Sequence, residues 1–203
     1  MNLTPVTLQG NYVRLVPLSL DHLDDLCLIG LEHSVWKWTI ANVTNREEML
    51  AYLKVALAEQ ERGTGLPFTT MTNVGSPDGS FRVAGSTRYF NIATQHKRLE
   101  IGNTWIASPW QRTVVNTEAK YLMLQYAFEK LGCNRVEFKT DALNTKSRTA
   151  ILRLGAKEEG ILRNHSITAL GRVRDTVYFS ILNEEWPEVK KRLEEWIEKA
   201  RAN

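Results

Sequence analysis

The side chains with the clearest chemical potential lie between Glu100 and Ser147. An acid, Glu100, stands two residues before Gly102 in a stretch with strand character. The chain then runs through residues 108–116 directly into a long amphipathic stretch. Such a strand–loop–helix junction points free backbone N–H groups and the positive end of the helix dipole at one place. It suits a phosphate or pyrophosphate, but most junctions of this kind hold no ligand.

A second polar group is the run Asn144-Thr145-Lys146-Ser147. Asn144 is a good N-cap for a short helix. Alternatively, its amide and the Ser147 hydroxyl face a ligand, because a spacing of three residues places both on one side of a helix. The residues alone leave both interpretations open.

The elements that must position these groups follow from periodicity and turn signals. Helices are predicted after Ser19, from a capping box at Thr44 and Glu47, after Trp110, from Asn144, and near Trp186. The segment 36–40 is predicted to be irregular and partly extended. The predicted strands are 12–16, 67–72, 82–92, 99–106, 134–140, 159–168 and 172–182. This order predicts an α+β fold: a mixed, mostly antiparallel sheet of about seven strands flanked by helices, in a single domain over 1–203.

Composition narrows the class of protein. The 203 residues fit one globular domain, and 43% hydrophobic with 24% charged residues does not favour disorder. A net charge of +3 does not favour nucleic-acid binding, and no apolar run approaches the length of about 20 residues needed to cross a membrane. Cys27 and Cys133 are expected as buried thiols in a reducing cytoplasm. Neither the cysteines nor the four histidines have metal-site spacing.

Four stretches carry a family resemblance: 99–102, 110–120, 141–147 and 154–163. Their order and spacing resemble the GCN5-related N-acetyltransferase (GNAT) family, and within it the RimJ/RimL-type ribosomal-protein N-terminal acetyltransferases. The resemblance covers nearly the whole chain. It implies a GNAT-like fold that takes acetyl-CoA as co-substrate, without a metal.

The resemblance also implies a pyrophosphate loop of the pattern Gln/Arg-x-x-Gly-x-Gly/Ala. Gln111 matches its first position, whereas Val114 and Asn116 replace small residues and Arg112 stands where relatives often have glycine. We expect ordinary helical angles at Val114, because it leads directly into a helix, so that the loop amides still face the pyrophosphate. The residues predicted to bind the cofactor are Gln111, Arg112, Thr113, Val114, Val115, Asn116, Asn144 and Ser147.

The catalytic expectations follow from the same resemblance, which implies direct acyl transfer to a neutral amine. Asn144 matches the family asparagine that bonds the pantetheine arm. Relatives often place a tyrosine acid about seven residues later, where this chain has Ile151. In RimL-type relatives a serine at the place of Ser147 is proposed to serve, so Ser147 is the candidate acid. Its alternative role is a small residue packed against CoA.

Two side chains are candidate bases. Glu100 is the first, acting directly or through water, and its alternative role is an ion pair with Arg88 or Lys97. His165 is the second, and its alternative role is a half-exposed strand residue. By analogy with the family, backbone N–H groups near 101–105 stabilise the oxyanion. An acceptor amine with a near-neutral pKa needs little help from either base.

Aromatic residues are predicted to line the acceptor groove, or else to belong to the core. They are Trp36, Trp38, Tyr89 and Trp105. The predicted acceptor is a protein N-terminus or a small amine, and the tryptophan-rich ends and long hairpin allow a homodimer. An alternative function is a GNAT-fold CoA-binding module without catalysis, suggested by Val114, Asn116 and the missing tyrosine.

Overall fold

A computed structural model describes Met1 and residues 3–201. Asn2, Ala202 and Asn203, which the single-domain prediction includes, lie outside the described residues. The described strands are β1 Leu8–Gln9, β2 Val13–Pro17, β3 Leu66–Thr72, β4 Arg82–Ala93, β5 Arg98–Ile106, β6 Arg135–Asp141, β7 Lys157–Ile167 and β8 Val173–Leu182. The described α-helices are α1 Leu23–Gly30, α2 His33–Trp36, α3 Arg46–Glu61, α4 Val114–Gln125, α5 Thr145–Leu154 and α6 Trp186–Arg201. None of the described helices is long and apolar enough to cross a membrane.

The strands form one mixed sheet in the order β1-β2-β3-β4-β5-β6-β8-β7. Neighbours are antiparallel except β5 and β6, which are parallel. The predicted α+β class is therefore confirmed, with eight strands where about seven were expected. The extra strand is β1, which lies before Gly10 and is separated from β2 by residues 10–12. There the buried Glu118 carboxylate accepts the N–H groups of Asn11, Tyr12 and Val13 at 2.9, 2.7 and 2.7 Å.

Two apolar cores lie on opposite faces of the sheet. The first packs against α4 and α6 and contains Met123, Phe179 and Leu193. The second packs against α1, α2 and α3 and contains Leu26, Met49 and Leu53. With both faces covered, the strand edges and the ends of the helices remain for polar chemistry.

Two helix starts differ from the predictions. The cap of α3 is Asn45, whose side chain accepts the Glu48 N–H, so the predicted capping box at Thr44 and Glu47 is wrong by one residue. The Glu48 carboxylate in turn accepts the N–H and the hydroxyl of Thr44, the residue before the cap. Ser19 caps a 3₁₀ turn that precedes α1. In the segment 36–40, Trp36 ends the short helix α2 and residues 37–40 form turns and bends, so the segment is irregular as predicted but not extended. The Trp36 indole N–H donates to the Gly30 carbonyl at 2.6 Å.

Candidate active site

A cleft opens where β5 and β6 separate. The two strands pair only from Arg98–Glu100 to Arg135–Glu137, although each continues for several residues. Beyond Glu100, the edge of β5 that faces β6 therefore has no strand partner. Unpaired backbone N–H and C=O groups are strong hydrogen-bonding sites. The cleft can therefore hold an extended ligand through main-chain contacts.

A bulge sits on β5 at this cleft. The register changes between the pairs Ser86–Trp105 and Arg88–Gly102, so that Thr87 opposes both Asn103 and Thr104. Asn103 has a left-handed φ of 47°. Glycine at position 102 leaves room for the Phe90 ring, because a Cβ there would lie 2.8 Å from one of its ring carbons.

The N-terminus of α4 presents free backbone N–H groups next to the end of β5. Thr113 is its N-cap and accepts the Val115 N–H at 3.3 Å, while its own hydroxyl donates to the Trp110 carbonyl at 2.7 Å. The Gln111 amide donates to the Ile106 carbonyl at 2.8 Å and so ties the loop to the end of β5. The remaining first-turn N–H groups of α4 have no partner within the helix.

The left-handed residue of this loop is Arg112, with φ of 60°. Val114 begins α4 and does not have a positive φ. The prediction that Val114 adopts ordinary helical angles is therefore confirmed. A residue with a side chain is strained in this left-handed conformation, so Arg112, and not Val114, is the strained residue of the loop.

Asn144 caps α5, as one of the two interpretations predicted. Its side-chain oxygen accepts the Ser147 N–H at 3.1 Å. This bond uses the oxygen and leaves the Asn144 amide nitrogen for a ligand. The Ser147 side chain is half-buried, and its hydroxyl has no hydrogen bond to any part of the chain described here. Both groups therefore keep the hydrogen-bonding capacity that their predicted roles need.

Arg153 links the last turn of α5 to the first turn of α4, and it was not among the residues predicted to belong to the site. It lies in the last turn of α5 and donates to the Thr117 hydroxyl, in the first turn of α4, at 3.1 Å. Its guanidinium also lies 5.4 Å from the Trp196 ring centroid. It adds a positive charge beside the N-terminus of α4, although no sequence pattern distinguishes it from other surface arginines.

Glu100 is 1% exposed. Its Oε2 accepts the Asn91 amide at 2.9 Å and lies 3.1 Å from the Lys139 ammonium, while Oε1 is buried and has no partner among the described residues. The expected alternative partners are wrong, because Lys139 is its partner and Arg88 instead pairs with Glu59 at 2.8 Å. Burial raises the pKa of Glu100, and this effect exceeds the opposing attraction of Lys139. The carboxyl is therefore closer to the protonation balance that a base near neutral pH requires.

His165 lies exposed on β7, on the same sheet face as Glu100. Its Nδ1 is 3.1 Å from the Thr176 hydroxyl, and its ring packs edge-on against Tyr178 with centroids 5.7 Å apart. The Lys139 ammonium lies 5.7 Å from the centre of that same Tyr178 ring. A series of side-chain contacts through Lys139 and Tyr178 therefore connects Glu100 with His165.

The aromatic residues predicted to line the acceptor groove separate into two groups. Tyr89 is fully buried and donates to the Met123 carbonyl, and Trp105 is 4% exposed within the second core. These positions agree with the core alternative and not with groove lining, because both rings are enclosed. Trp36 packs against Trp105 and also borders a cavity of about 230 Å³. Trp38 is half-buried beside Lys37 and Arg172.

A buried cation beneath the bulge was also missed. Lys120 is 5% exposed, and its ammonium bonds the hydroxyls of Thr87 and Thr104 at 3.1 and 2.6 Å. Burial lowers its pKa to about 7. A signal was present in the sequence, since Lys120 falls within the apolar stripe of α4, between Ala119 and Met123.

A family model described as an acetyltransferase (GNAT) domain matches residues 13–157. A Bacillus subtilis protein, YdaF, provisionally named a ribosomal N-acetyltransferase, is 36% identical over 109 residues, which are 54% of this chain and 57% of that protein. The chain spans little more than half the length of the curated relatives it matches.

Solved structures match over more of the chain. A GCN5-related N-acetyltransferase from Brucella melitensis has 30% identity and a TM-score of 0.85, over 95% of this chain and 86% of that one. RimJ of Mycobacterium smegmatis, solved in complex with CoA-disulfide, has 25% identity and a TM-score of 0.78, over 93% of each chain.

Proposed function

This chain belongs to the GNAT acetyltransferase domain family, and from that premise we propose that it moves an acetyl group from acetyl-CoA to a primary amine by direct transfer. The acceptor is a protein N-terminus or a small amine. Relatives named as N-acetyltransferases support this activity, and the RimJ complex with CoA-disulfide supports the choice of cofactor.

The observation that carries the proposal is the separation of β5 from β6 beside two helix N-termini. The pantetheine arm would lie along the unpaired edge of β5 and bond the Asn144 amide nitrogen. The pyrophosphate would take the first-turn N–H groups of α4, with Arg112 and Arg153 supplying positive charge. The bulge at Asn103 would turn a backbone N–H toward the thioester oxygen, where negative charge develops during transfer.

Glu100 and Ser147 would handle the protons. Oε1 of Glu100 has no hydrogen-bond partner among the described residues, and it would accept the proton of the attacking amine, directly or through water. Ser147 would donate its hydroxyl proton to the departing thiolate, which is the role that the absent tyrosine has in many relatives. His165 is the second candidate base. An α-amino group, with an ordinary pKa of about 7.7–8.0, would be partly neutral near pH 7 without help.

Two measurements test the proposal together. The first is thiol release from acetyl-CoA with a panel of peptides and small amines. The second is thermal unfolding with and without acetyl-CoA, where ligand at about 100 times Kd adds roughly 2.7 kcal/mol. For a chain of this size that corresponds to an increase in Tm of about 5–10 °C. Turnover with a raised Tm supports the proposal, whereas a raised Tm without turnover across the panel supports the non-catalytic CoA-binding module.

A further inference from the structure

Arg174 is a buried cation with an incomplete set of partners. The residue is 5% exposed on β8, and its Nε has no hydrogen bond to any of the residues described. The nearest carboxylate oxygen, Oδ2 of Asp141, is 4.0 Å from that nitrogen. Burying a charge is costly unless it is paired at close range, so a buried guanidinium in this state calls for an anion.

Asp141 does not satisfy Arg174, because its carboxylate is already bound. One oxygen accepts the Leu143 N–H at 2.9 Å, and the other forms an ion pair with Arg172. Arg172 is partly exposed and its guanidinium also lies 5.7 Å from the Trp38 ring centroid. Two guanidinium groups therefore share one carboxylate at the end of β6, next to the loop that leads to Asn144.

Arg172, the more exposed of the two arginines, lies beside a cavity. Arg172 borders the cavity of about 230 Å³, which is enclosed by the segment after α2 and by the tip of the β7–β8 hairpin. The two walls are joined where the Ala169 N–H donates to the Ile40 carbonyl at 2.9 Å. Arg174 and Tyr178 lie on one face of β8, because side chains alternate along a strand. Burial lowers the pKa of Arg174 despite the attraction of Asp141 and Glu100.

We propose that Arg174 and Arg172 bind a carboxylate of the acceptor, so that the acceptor is a primary amine that also carries a carboxylate. This inference rests on the proposed function. Lys139 pairs with Glu100 and Arg172 pairs with Asp141, which leaves Arg174 without a close carboxylate among the described residues. A carboxylate of the acceptor would supply that partner, and its shape matches the fork of a guanidinium.

The test compares acceptors that differ only in the carboxylate. One pair is 5-aminopentanoate and pentylamine, and the other is two short peptides with a free N-terminal serine followed by Asp or Asn. Hydrogen bonds to a charged group are worth about 10-fold or more, so kcat/KM for the carboxylate member should exceed that of its neutral partner by at least about 10-fold. Which pair shows the preference distinguishes a small aminocarboxylate from an acidic peptide N-terminus.

Two variants decide whether Arg174 is responsible. In Arg174→Gln the ratio between the two members should fall below about 3-fold, whereas Arg163→Gln, the same change at an exposed position of β7, should keep the wild-type ratio. A purely structural Arg174 would lower both rates equally and leave the ratio unchanged, which would overturn the inference. Arg172→Gln, a less buried change, repeats the test if Arg174→Gln folds poorly.

A binding measurement separates this inference from the proposed function. Thermal unfolding is followed with 5-acetamidopentanoate or N-pentylacetamide, which need no turnover to bind. A rise in Tm with the carboxylate compound alone, lost in Arg174→Gln, supports the anion site even if no amine is acetylated. Acetylation of both amine pairs without discrimination, or equal shifts with both compounds, would overturn the anion site and leave the acetyltransferase activity standing.

Discussion

The ammonium nitrogen of Lys120 lies 2.6 Å from the hydroxyl oxygen of Thr104, directly beneath the bulge of β5. The same nitrogen bonds Thr87 on β4, and the two hydroxyls are 2.7 Å apart. Lys120 therefore links Thr87 on β4 to Thr104, which is one of the two β5 residues that oppose Thr87 at the bulge. The backbone proposed to hold the thioester is thus supported from below by a group whose pKa lies near 7.

Replacing Lys120 should change how stability depends on pH. Burial lowers its pKa to about 7, well below the ordinary value near 10.4 in the unfolded chain. Between these two values the unfolded chain binds the extra proton, so this group makes stability rise with pH, by at most about 1.4 kcal/mol per unit. Lys120→Met should remove that slope, and Lys54→Met, at an exposed position of α3, should retain it. Urea unfolding at pH 7, 8 and 9 measures the difference; parallel curves for wild type and Lys120→Met would contradict the prediction.

Glu100→Gln should lower kcat by about 10²-fold if the carboxylate is the base, since general-base catalysis typically contributes about 10²–10⁴-fold. The matched control is Glu137→Gln, because Glu137 lies opposite Glu100 on β6 and instead pairs with Arg98 and Arg135. Burial raises the pKa of Glu100, so wild-type kcat should fall as pH decreases through that raised value. The pH profile of kcat should lose this acidic limb in Glu100→Gln. A variant that keeps both the rate and the limb would remove Glu100 from the mechanism.

Ser147→Ala should lower kcat by about 10²-fold while leaving acetyl-CoA affinity nearly unchanged, because its hydroxyl is proposed to act only on the departing thiolate. Ser147 contributes its N–H, not its hydroxyl, to the cap of α5, so the helix should persist. Thr145→Ala, an exposed change in the same turn, is the control. Single-turnover kinetics and acetyl-CoA titration separate the two constants, and an unaltered kcat would assign Ser147 only a packing role.

Local signals in the sequence predicted most of the elements but not the long-range pairings. The capping potential of Asn144 and the apolar stripe of α4 depend on neighbours within one turn, and both were predicted from residue types. The separate strand β1 was not predicted, because the segment between it and β2 is held by Glu118, more than 100 positions away in the chain. The cap of α3 was misplaced by one residue because Thr44 and Asn45 are both good N-caps.

Family patterns and local motifs supplied the candidate residues of the site. Glu100, Asn144 and the loop 111–116 were all proposed in this way, and their roles stay predictions. The partner of Glu100 was wrong because Lys139 reaches it across the parallel pair β5–β6, and no sequence spacing encodes that register. Arg174 was missed for a similar reason: its burial and lack of partners follow from how β8 packs beside β6, whereas in sequence it is an ordinary strand arginine.

Asn144→Ala should lose both a helix cap and a cofactor contact. Loss of an N-cap costs about 1 kcal/mol, and the proposed bond to the pantetheine arm would also be lost. Asn45→Ala provides the matched control, because Asn45 caps α3 through the same contact, accepting the Glu48 N–H at 2.9 Å. Both variants should unfold at a similarly lowered urea concentration, but only Asn144→Ala should bind acetyl-CoA more weakly. Equal acetyl-CoA affinity in the two variants would show that Asn144 is a cap alone.

Comparing Arg112→Gly with Arg112→Ala should distinguish the effect of backbone strain from the effect of charge in the loop 111–116. Arg112 has a φ of 60°, a conformation that costs a residue with a side chain roughly 1–2 kcal/mol relative to glycine. Glycine also loses more conformational freedom on folding, so the expected net change is a gain of up to about 1 kcal/mol in unfolding free energy. Arg112→Ala keeps the strain without the charge and should not gain stability.

If Arg112 contacts the pyrophosphate, both variants should lose acetyl-CoA affinity to a similar extent, and more so at low salt, where the charge is less screened. Full acetyl-CoA affinity in both variants would leave only the backbone amides of the loop to hold the phosphates.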